Sequence, residues 1–431
     1  MKLFLKINSF LVLLITASLS YGQEGFLYED DVYDANIKSV KFHIADLPTS
    51  MPIVSLNSNS QLILTFDDMM GGDRYFAYKV IHCDQNWNVS SISELDYLDG
   101  FNDEEIQNGF YSQGTRIDYT NYELAIPNED TRFRISGNYL LLVYNDDTKE
   151  PVLTRRFIVS ENLVNVVPQF GKPVDVLLLK SHQDVSFKVE HRNYDIRRPL
   201  QNVKATIIQN GRWDNYITNI TPKFNTPGII HFDRTQRLAF ESFKEFRSFD
   251  IRSSRSINTT IHSMDLYEDR IDVLLQLDRS RSSQIQFAES LFGNSRRDIN
   301  GQFIIESLDV FDSYTQSEYI NVFFNLQPKY EYPDADVYLF GKFTDWKLKD
   351  DFLLEYDPQR EVYRRGVLLK QGYYDYIYLL VDRNTNEITN AFEGNWHETE
   401  NDYYIIVYHR GIGDRYDRVI GLRSFNSLTG Q

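Results

Sequence analysis

The feature of this sequence that most limits its fold is a series of short segments in which apolar and polar residues alternate. A period of two places every second side chain on the same face of a strand, so each segment predicts a β-strand. The series runs from residue 61 to residue 410, and turn-forming residues separate its members. Tyr and Phe number 29 each, and both residue types favour strands. The sequence therefore predicts an all-β protein.

Two pairs of these segments have the pattern of a β-hairpin. QLILTFDD (61–68) and RYFAYKVIHC (74–83) flank a Gly-Gly turn region, and SGNYLLLVYNDD (136–147) and PVLTRRFIVSE (151–161) flank a short polar turn. Two hairpins in one stretch of this length predict a two-sheet sandwich of immunoglobulin-like type. We expect this N-terminal β-sandwich domain to span residues 23–163.

A second β-rich domain is predicted for residues 164–327. The alternation restarts after Pro168 and Pro173 with four candidate strands: VDVLLLK (174–180), DVSFKVEHR (184–192), VKATIIQ (203–209) and DNYITNI (214–220). Asn210-Gly211 lies between the last two, and Asn-Gly is a strong turn signal. The later part of the domain is less regular, with a possible short helix at 238–247 and a loop at 278–290.

A third β-sandwich is predicted for residues 328–412. Its candidate strands come after a proline-containing linker at 327–335. They are DVYLFG (336–341), DFLLEYD (351–357), EVYRRGVLL (361–369), YYDYIYLLVD (373–382) and NDYYIIVYHR (401–410). Residues 413–431 are polar and predict a tail or a terminal strand. Three domains agree with a length of 431 residues, because domains hold about 150 residues each.

The first 22 residues have the pattern of a secretory signal peptide. Lys2 and Lys6 precede an apolar stretch at 7–19, and small residues follow it before Gln23. The apolar run is shorter than the roughly 20 residues that a membrane-spanning helix needs. No cysteine follows the small residues, so no lipid anchor is expected. The sequence predicts an exported chain that begins near Gln23.

The charge and the cysteine usage limit the possible partners and the compartment. The formal net charge is −17, whereas binding to nucleic acid depends on Lys and Arg. We therefore expect no nucleic-acid partner. The chain has one cysteine, so no internal disulfide can form after export, which favours a bacterial periplasm.

The only cysteine, Cys83, stands between His82 and Asp84, and these residue types together could form a nucleophilic catalytic site. Neighbouring side chains on a strand point to opposite faces, so His82 and Cys83 are expected to diverge. A free cysteine is more often a buried structural residue. We expect Asp84 to accept local backbone N–H groups and Trp87 to fold onto the edge of the core.

Other motifs for catalysis or metal binding are incomplete. His397-Glu398 begins like the zinc-protease helix motif, but Asn401 stands where the second histidine is required. The acids at 29–31 lack the spacing of a calcium loop, and no phosphate-binding loop is present. The sequence therefore predicts no catalytic, cofactor-binding or metal-binding residues, no cofactor and no enzyme activity.

Several long stretches together resemble the plug protein family of the type IX secretion system of Bacteroidetes. In the first domain they are NIKSVKFH (36–43), LTFDDM (64–69), YKVIHCDQNW (78–87), ELDYLDGF (94–101), DYTNYELAIPNED (118–130), SGNYLLLVY (136–144) and RRFIVSE (155–161). The resemblance continues through EFRSFDIRS (245–253) and GNWHETENDYYIIVYHR (394–410). It covers most of the chain after residue 25.

This resemblance implies a non-catalytic, periplasmic, β-rich protein. Its partner would be the outer-membrane translocon barrel of the secretion system, and it would plug the periplasmic opening of the translocon pore between transport events. It would associate with the membrane complex without spanning the membrane. The resemblance implies no individual contact residues.

The third domain also resembles the glycogen-binding module family, which has an early-set immunoglobulin-like fold. The matching stretches are GKFTDW (341–346) and KQGYYDYIYLLVD (370–382). The resemblance implies that Trp346 stacks on a sugar ring. The second Trp of that family is missing here, and its strand lysine falls near the apolar Ile377. Trp396 is the candidate replacement, and the alternative function is polysaccharide binding by this C-terminal sandwich.

Overall fold

The computed structural model describes residues 25–232, 238–283 and 298–430. The predicted signal peptide lies outside these residues. The protein is nearly all β, with 48% strand and 5% helix, and its sheets are mainly antiparallel. The predicted fold class, a series of immunoglobulin-like and early-set β-sandwiches, is confirmed.

The first sandwich is built from twelve described strands. They are β1 (Asp31–Val32), β2 (Ile37–Ile44), β3 (Ile53–Ser55), β4 (Leu62–Asp68), β5 (Phe76–Cys83), β6 (Leu98–Gly100), β7 (Glu104–Glu105), β8 (Asn108–Tyr111), β9 (Thr120–Ile126), β10 (Thr131–Phe133), β11 (Gly137–Asn145) and β12 (Pro151–Ser160). One sheet has the order β1-β12-β11-β5-β7, with β3 parallel to β12, and the other has the order β2-β4-β9-β8. Strands β6 and β10 form a separate pair, and the one-turn helix α1 (Glu94–Tyr97) precedes β6.

One of the two predicted hairpins in this sandwich is correct. Strands β11 and β12 pair along their length, starting from Gly137 opposite Val159. The other prediction is wrong, because β4 pairs with β2 and β9 while β5 pairs with β11 and β7. Alternation tells which side chains share a face, but it does not tell which strand lies alongside. Here the chain crosses from one sheet to the other at the Gly-Gly turn.

The next part of the chain supplies seven strands and one short helix. The strands are β13 (Asn165–Gly171), β14 (His182–Glu190), β15 (Val203–Gln209), β16 (Ile217–Ile220), β17 (Phe224–Thr226), β18 (Ile229–Phe232) and β19 (Ala239–Glu241), and the helix is α2 (Pro199–Asn202). Residues 174–180 were expected to be a strand, but they contain an exposed 3-10 helix, Val176–Leu178. Apolar character alone cannot separate a strand from a solvent-facing turn.

The remaining strands follow from residue 247. They are β20 (Arg247–Asp250), β21 (Ile261–Leu266), β22 (Ile271–Leu275), β23 (Asp278–Arg279), β24 (Phe303–Ile305), β25 (Tyr319–Gln327), β26 (Ala335–Phe340), β27 (Leu353–Asp357), β28 (Val362–Lys370), β29 (Gly372–Asp382), β30 (Ile388–Thr389), β31 (Asp402–His409) and β32 (Arg418–Asn426). The helices are α3 (Ser313–Gln316) and the 3-10 turns Lys342–Thr344 and Asp350–Phe352. The predicted helix at 238–247 is wrong, because strand β19 lies near the start of this stretch and strand β20 begins at its last residue. The predicted loop at 278–290 begins as strand β23, and its residues from 284 lie outside the described residues.

The sheets cross the domain boundaries that the sequence predicted. Strand β15 pairs with β31, and β31 pairs with β32, so the end of the chain completes the second sandwich. Strands β20 to β25 instead join the large sheet built on β25 to β29. Residues 413–431 therefore contain a terminal strand rather than only a tail. Strands can pair whether they are near or far apart in the sequence. A local pattern therefore could not show which strands pair with each other here.

The first and second sandwiches pack against each other through one outer face of each. Ala77, Cys83 and Leu140 on the β5-β11 sheet belong to one buried apolar cluster with Ile208 and Ile406 on the β15-β31 sheet. The opposite face of the β5-β11 sheet lines the core of the first sandwich. This sheet is consequently buried on both faces, which explains why β11 and β12 are almost continuously buried.

Candidate functional site

The Cys83 stretch is a structural element. The Cys83 side chain is 0% exposed and lies between the first and second sandwiches, whereas His82 is buried towards the core of the first sandwich, where its ring contacts that of Tyr139. Burial raises the pKa of Cys83 to about 12 and lowers the pKa of His82 to about 4. At neutral pH the thiol is protonated and the imidazole is neutral. The expected divergence of the two side chains is confirmed, and the pair provides no activated nucleophile.

The turn after Cys83 joins two sandwiches. Asp84 accepts hydrogen bonds from the backbone N–H groups of Asn86, at 2.8 Å, and Asn88, at 2.9 Å, as expected. The Trp87 ring is buried and lies 5.0 Å from the ring of Trp213 in the second sandwich. The guanidinium of Arg156 lies 4.5 Å from the Trp87 ring centre. The turn is thus occupied by packing contacts.

Metal binding and membrane crossing have no support in the described residues. No group of three or more His, Cys, Asp or Glu side chains there could hold a metal ion. His397 Nδ1 lies 2.8 Å from the carbonyl oxygen of His182. The histidine of the partial zinc motif is therefore in contact with the backbone. In residues 25–232, 238–283 and 298–430, no helix has the length and apolarity needed to cross a membrane.

Trp346, the candidate sugar-stacking residue, is 5% exposed. Its ring lies 5.4 Å from that of Phe340 and 6.0 Å from that of Phe246, and the Arg212 guanidinium covers it at 4.9 Å. A Cβ atom at Gly301 would lie 2.3 Å from this ring, so the position allows no side chain. The ring is used in packing and offers no free face for a sugar.

The second candidate, Trp396, is half-buried, and its backbone N–H donates to the carbonyl oxygen of Phe243 at 2.8 Å. Trp346 borders a groove of about 420 Å³, but Trp396 is not among the residues that line this groove. The two tryptophans therefore do not line this groove together. Polysaccharide binding through them stays a prediction.

The loop that carries Trp346 contacts the first sandwich through charged side chains. Asp345 pairs with Arg155 at 3.1 Å, and Lys347 lies 2.8 Å from Glu29 and 2.9 Å from Asp31. Burial alone would raise the pKa of Asp345, but Arg155 and two nearby lysines lower it to about 2. This loop therefore forms an interface within the chain.

A second polar contact joins the same two parts of the molecule. Lys370 Nζ lies 2.7 Å from Oδ2 of Asp67, and the Tyr319 hydroxyl donates to the same oxygen at 2.7 Å. Asn121 donates to the other carboxylate oxygen at 2.7 Å, and the Lys370 ammonium lies 4.1 Å from the ring centre of Tyr119. A buried, hydrogen-bonded ion pair is geometrically demanding, so it favours one arrangement of the first sandwich and the large sheet.

Exposed apolar side chains define the main candidate binding surface, which we call the edge surface. Its members come from strand β8, the loop before α3 and the tip after β21: Phe110, Tyr111, Leu266, Tyr267, Leu308 and Phe311. Phe311 is 103% exposed, and Phe110 and Tyr111 are 51% and 53% exposed. Two contacts hold the pieces together, from the Gln113 N–H to Thr315 O at 2.8 Å and from Arg116 Nε to Tyr267 O at 2.9 Å.

Sequence reasoning missed the edge surface. Its apolar residues are scattered over three distant stretches, and each looks like an ordinary strand or loop residue by itself. Contiguous exposed apolar groups are typical of protein-binding surfaces. A second exposed group, Val174, Val176 and Leu177, lies on the 3-10 turn of the second sandwich.

The comparison with protein-family models agrees with the resemblance seen in the sequence. The family model described as type 9 secretion system plug protein 1st domain matches residues 37–161. A crystal structure of a hypothetical protein from Parabacteroides merdae is 31% identical, with a TM-score of 0.85, and the match covers 92% of this chain and 99% of that chain. A comparison with curated proteins finds no match.

A further solved structure has a much weaker similarity. It is the C-terminal domain of the antigen I/II-family protein AspA of Streptococcus pyogenes, at 8% identity and a TM-score of 0.16, with 89% of this chain and 98% of that chain covered. A score this low carries no information on the fold or the function of the chain. The match to the Parabacteroides merdae protein, in contrast, shows one shared fold over nearly the whole length of both chains.

Proposed function

Because residues 37–161 match the family model of the type 9 secretion system plug protein 1st domain, we propose that the chain plugs the periplasmic opening of the outer-membrane translocon pore between transport events. The single observation that carries the proposal is the family match over residues 37–161. In this proposal the protein is exported to the periplasm and associates with the translocon barrel. It catalyses no reaction and needs no cofactor.

The internal contacts support a role as a stiff obstruction. A plug must keep its shape when it faces a wide pore, so its parts should not move freely against each other. Asp345 with Arg155 and Lys370 with Asp67 each link the first sandwich to the large sheet. The apolar contact around Cys83 links the first sandwich to the second. These contacts favour one fixed arrangement of the sandwiches.

The chemistry of the most suggestive residues also supports a non-catalytic role. The protonated thiol of Cys83 and the neutral, buried imidazole of His82 lie on opposite faces of their strand. Catalysis by a cysteine needs an accessible thiolate close to a base. A binding protein needs no reactive thiol or base at this position. The Cys83 and His82 side chains can therefore be packing residues, as they are in the structure.

Co-purification from mildly solubilised membranes tests the proposed partner. The tagged protein should recover the large translocon barrel at a fixed ratio, because a plug must stay bound between transport events. A tagged periplasmic protein of similar size is the control for non-specific recovery. Recovery of the translocon at the control level would refute the proposal.

Permeability of the outer membrane tests the proposed activity. Deletion of the gene should make cells sensitive to antibiotics too large for the ordinary porins, because the translocon pore would stay open. The matched control is a strain that lacks both the plug and the translocon, in which the leak should disappear. Unchanged permeability in the single deletion, with translocon levels intact, would rule out a sealing role.

A further inference from the structure

Strand β8 is a sheet edge on the edge surface. In the sheet order β2-β4-β9-β8 it is the last strand, and all four of its residues are exposed. Among the described residues no strand pairs with its outer side. An edge of this kind presents unpaired backbone N–H and C=O groups, and proteins usually protect such edges with proline, lysine or a short strand. Strand β8 is short, at four residues, but it contains neither proline nor lysine.

The register of β8 shows which backbone groups point outward. The Ser112 N–H donates to Tyr119 O, so Ser112 faces β9, and alternation then turns Gly109, Tyr111 and Gln113 outward. The Gln113 N–H confirms this direction, because it donates to Thr315 O at 2.8 Å on the outer side. The N–H and C=O groups of Gly109 and Tyr111 are therefore directed at the open edge.

Aromatic rings and acids both lie close to this edge. The exposed rings of Phe110 and Tyr111 point to opposite faces of β8, and Phe311 is exposed in the loop before α3. Two acids lie close to β8: Glu123 is opposite Asn108 in the register, and Asp73 accepts from the Tyr111 hydroxyl. The loop between β8 and β9 carries Asp118 and one base, Arg116, whose guanidinium already pairs with Glu318. An incoming chain with Lys or Arg flanking apolar residues would complement this edge.

We propose that the plug docks by accepting an extended, basic segment of the periplasmic rim of the translocon as an added strand along the outer edge of β8. The inference rests on the proposed function and names the surface that performs it. The backbone groups of Gly109 and Tyr111 hold the added strand, and the aromatic rings give it apolar contacts. A second copy of this chain is a poorer occupant, because two acidic edges would then face each other at a net charge of −17 each.

Site-specific photo-crosslinking tests the contact without disturbing the fold. A benzoylphenylalanine at Phe110 should crosslink the plug to the translocon in intact cells. The matched control is the same replacement at Phe224, which is also exposed on an outer strand, β17, but lies on the second sandwich. A crosslink from position 110 to the translocon, at least tenfold stronger than from position 224, supports the proposal. Crosslinks from 224 only, or from 110 to a second copy of the plug, overturn it.

A pair of variants tests the backbone contact itself. Tyr111→Ala removes the ring, and Tyr111→Pro removes the ring and the outward N–H while leaving the β8-β9 hydrogen bonds in place. We expect Tyr111→Pro to recover at least tenfold less translocon than Tyr111→Ala. Equal recovery by the two variants, with unchanged circular dichroism, would contradict strand addition.

The two proposals fail in different ways. If the wild-type protein recovers no translocon, the proposed function fails. If the wild type recovers translocon while position 110 gives no crosslink and Tyr111→Pro behaves like Tyr111→Ala, the plug docks through another surface. The exposed group at Val174, Val176 and Leu177 is then the next surface to probe.

Discussion

The ammonium of Lys370 lies 2.7 Å from a carboxylate oxygen of Asp67, although the two residues are far apart in the sequence. Both side chains are buried, and Tyr319 and Asn121 donate to the same carboxylate. The pair joins β28 of the large sheet to β4 of the first sandwich. Both charges of the pair are buried and hydrogen-bonded, so removal of one charge leaves the other buried and uncompensated.

Loss of the Lys370 charge should therefore destabilise the protein strongly. We expect Lys370→Met to lower the free energy of unfolding by about 3–5 kcal/mol, as measured by denaturant unfolding. Lys149→Met is the control, because Lys149 pairs with Asp146 on the exposed surface and should cost at most about 1 kcal/mol. The double variant Asp67→Asn/Lys370→Met should be more stable than Lys370→Met alone. A loss for Lys370→Met as small as that for the control would show that the pair is not buried in solution.

The Cys83 thiol should be unreactive in the folded protein. Burial raises its pKa to about 12, so the thiolate is scarce at neutral pH, and a reagent cannot reach the side chain. A thiol reagent should label the protein only after denaturant is added. Cys83→Ser should lower the free energy of unfolding by on the order of 1 kcal/mol and leave translocon binding unchanged. Rapid labelling of the native protein would be evidence for an accessible, reactive cysteine.

The stability of the protein should fall in acid through Glu393. Burial alone would raise the pKa of this carboxylate, but Arg281 and Arg247 lower it to about 2 from its ordinary value of 4.5. A depressed pKa contributes stability that is present above pH 4.5 and is lost as the pH falls through about 2.

Glu393→Gln should be less stable than the wild type at pH 7 and should lose less stability between pH 4.5 and about 2. The control is Glu355→Gln, at an exposed position on β27, which should follow the wild-type profile. Denaturant midpoints measured across this pH range check the prediction. A Glu393→Gln profile parallel to that of the wild type would show that this carboxylate is not the titrating group.

Trp346 should act as a packing residue. We expect Trp346→Ala to lower the free energy of unfolding by about 3–5 kcal/mol, because the ring is packed against Phe340, Phe246 and Arg212. Calorimetry of the wild type against α-glucans and surface polysaccharides should show no binding heat. Saturable binding by the wild type that disappears in Trp346→Ala or Trp396→Ala, without loss of the fold, would instead favour the polysaccharide-binding alternative.

The sequence predicted the local features of the first domain well. Strand β5, the divergence of His82 and Cys83, the Asp84 turn and the β11-β12 hairpin all follow from alternation and turn residues, which act over a few positions. The predicted strand at 174–180 is wrong because such local patterns do not show what lies next to a segment. Its apolar side chains face solvent, and only the packing of neighbouring segments decides whether an apolar run is covered.

The sequence by itself determined that the protein is all-β, that it resembles the plug family and that its lone cysteine lies opposite its neighbouring histidine. Only the tertiary structure decided that β4 and β5 belong to different sheets, that β31 and β32 return to β15 and that Trp346 is enclosed. It also decided which apolar residues remain exposed around β8. The physical reason is that alternation specifies the faces of a strand, whereas the partners of a strand are chosen by long-range pairing and packing between distant segments.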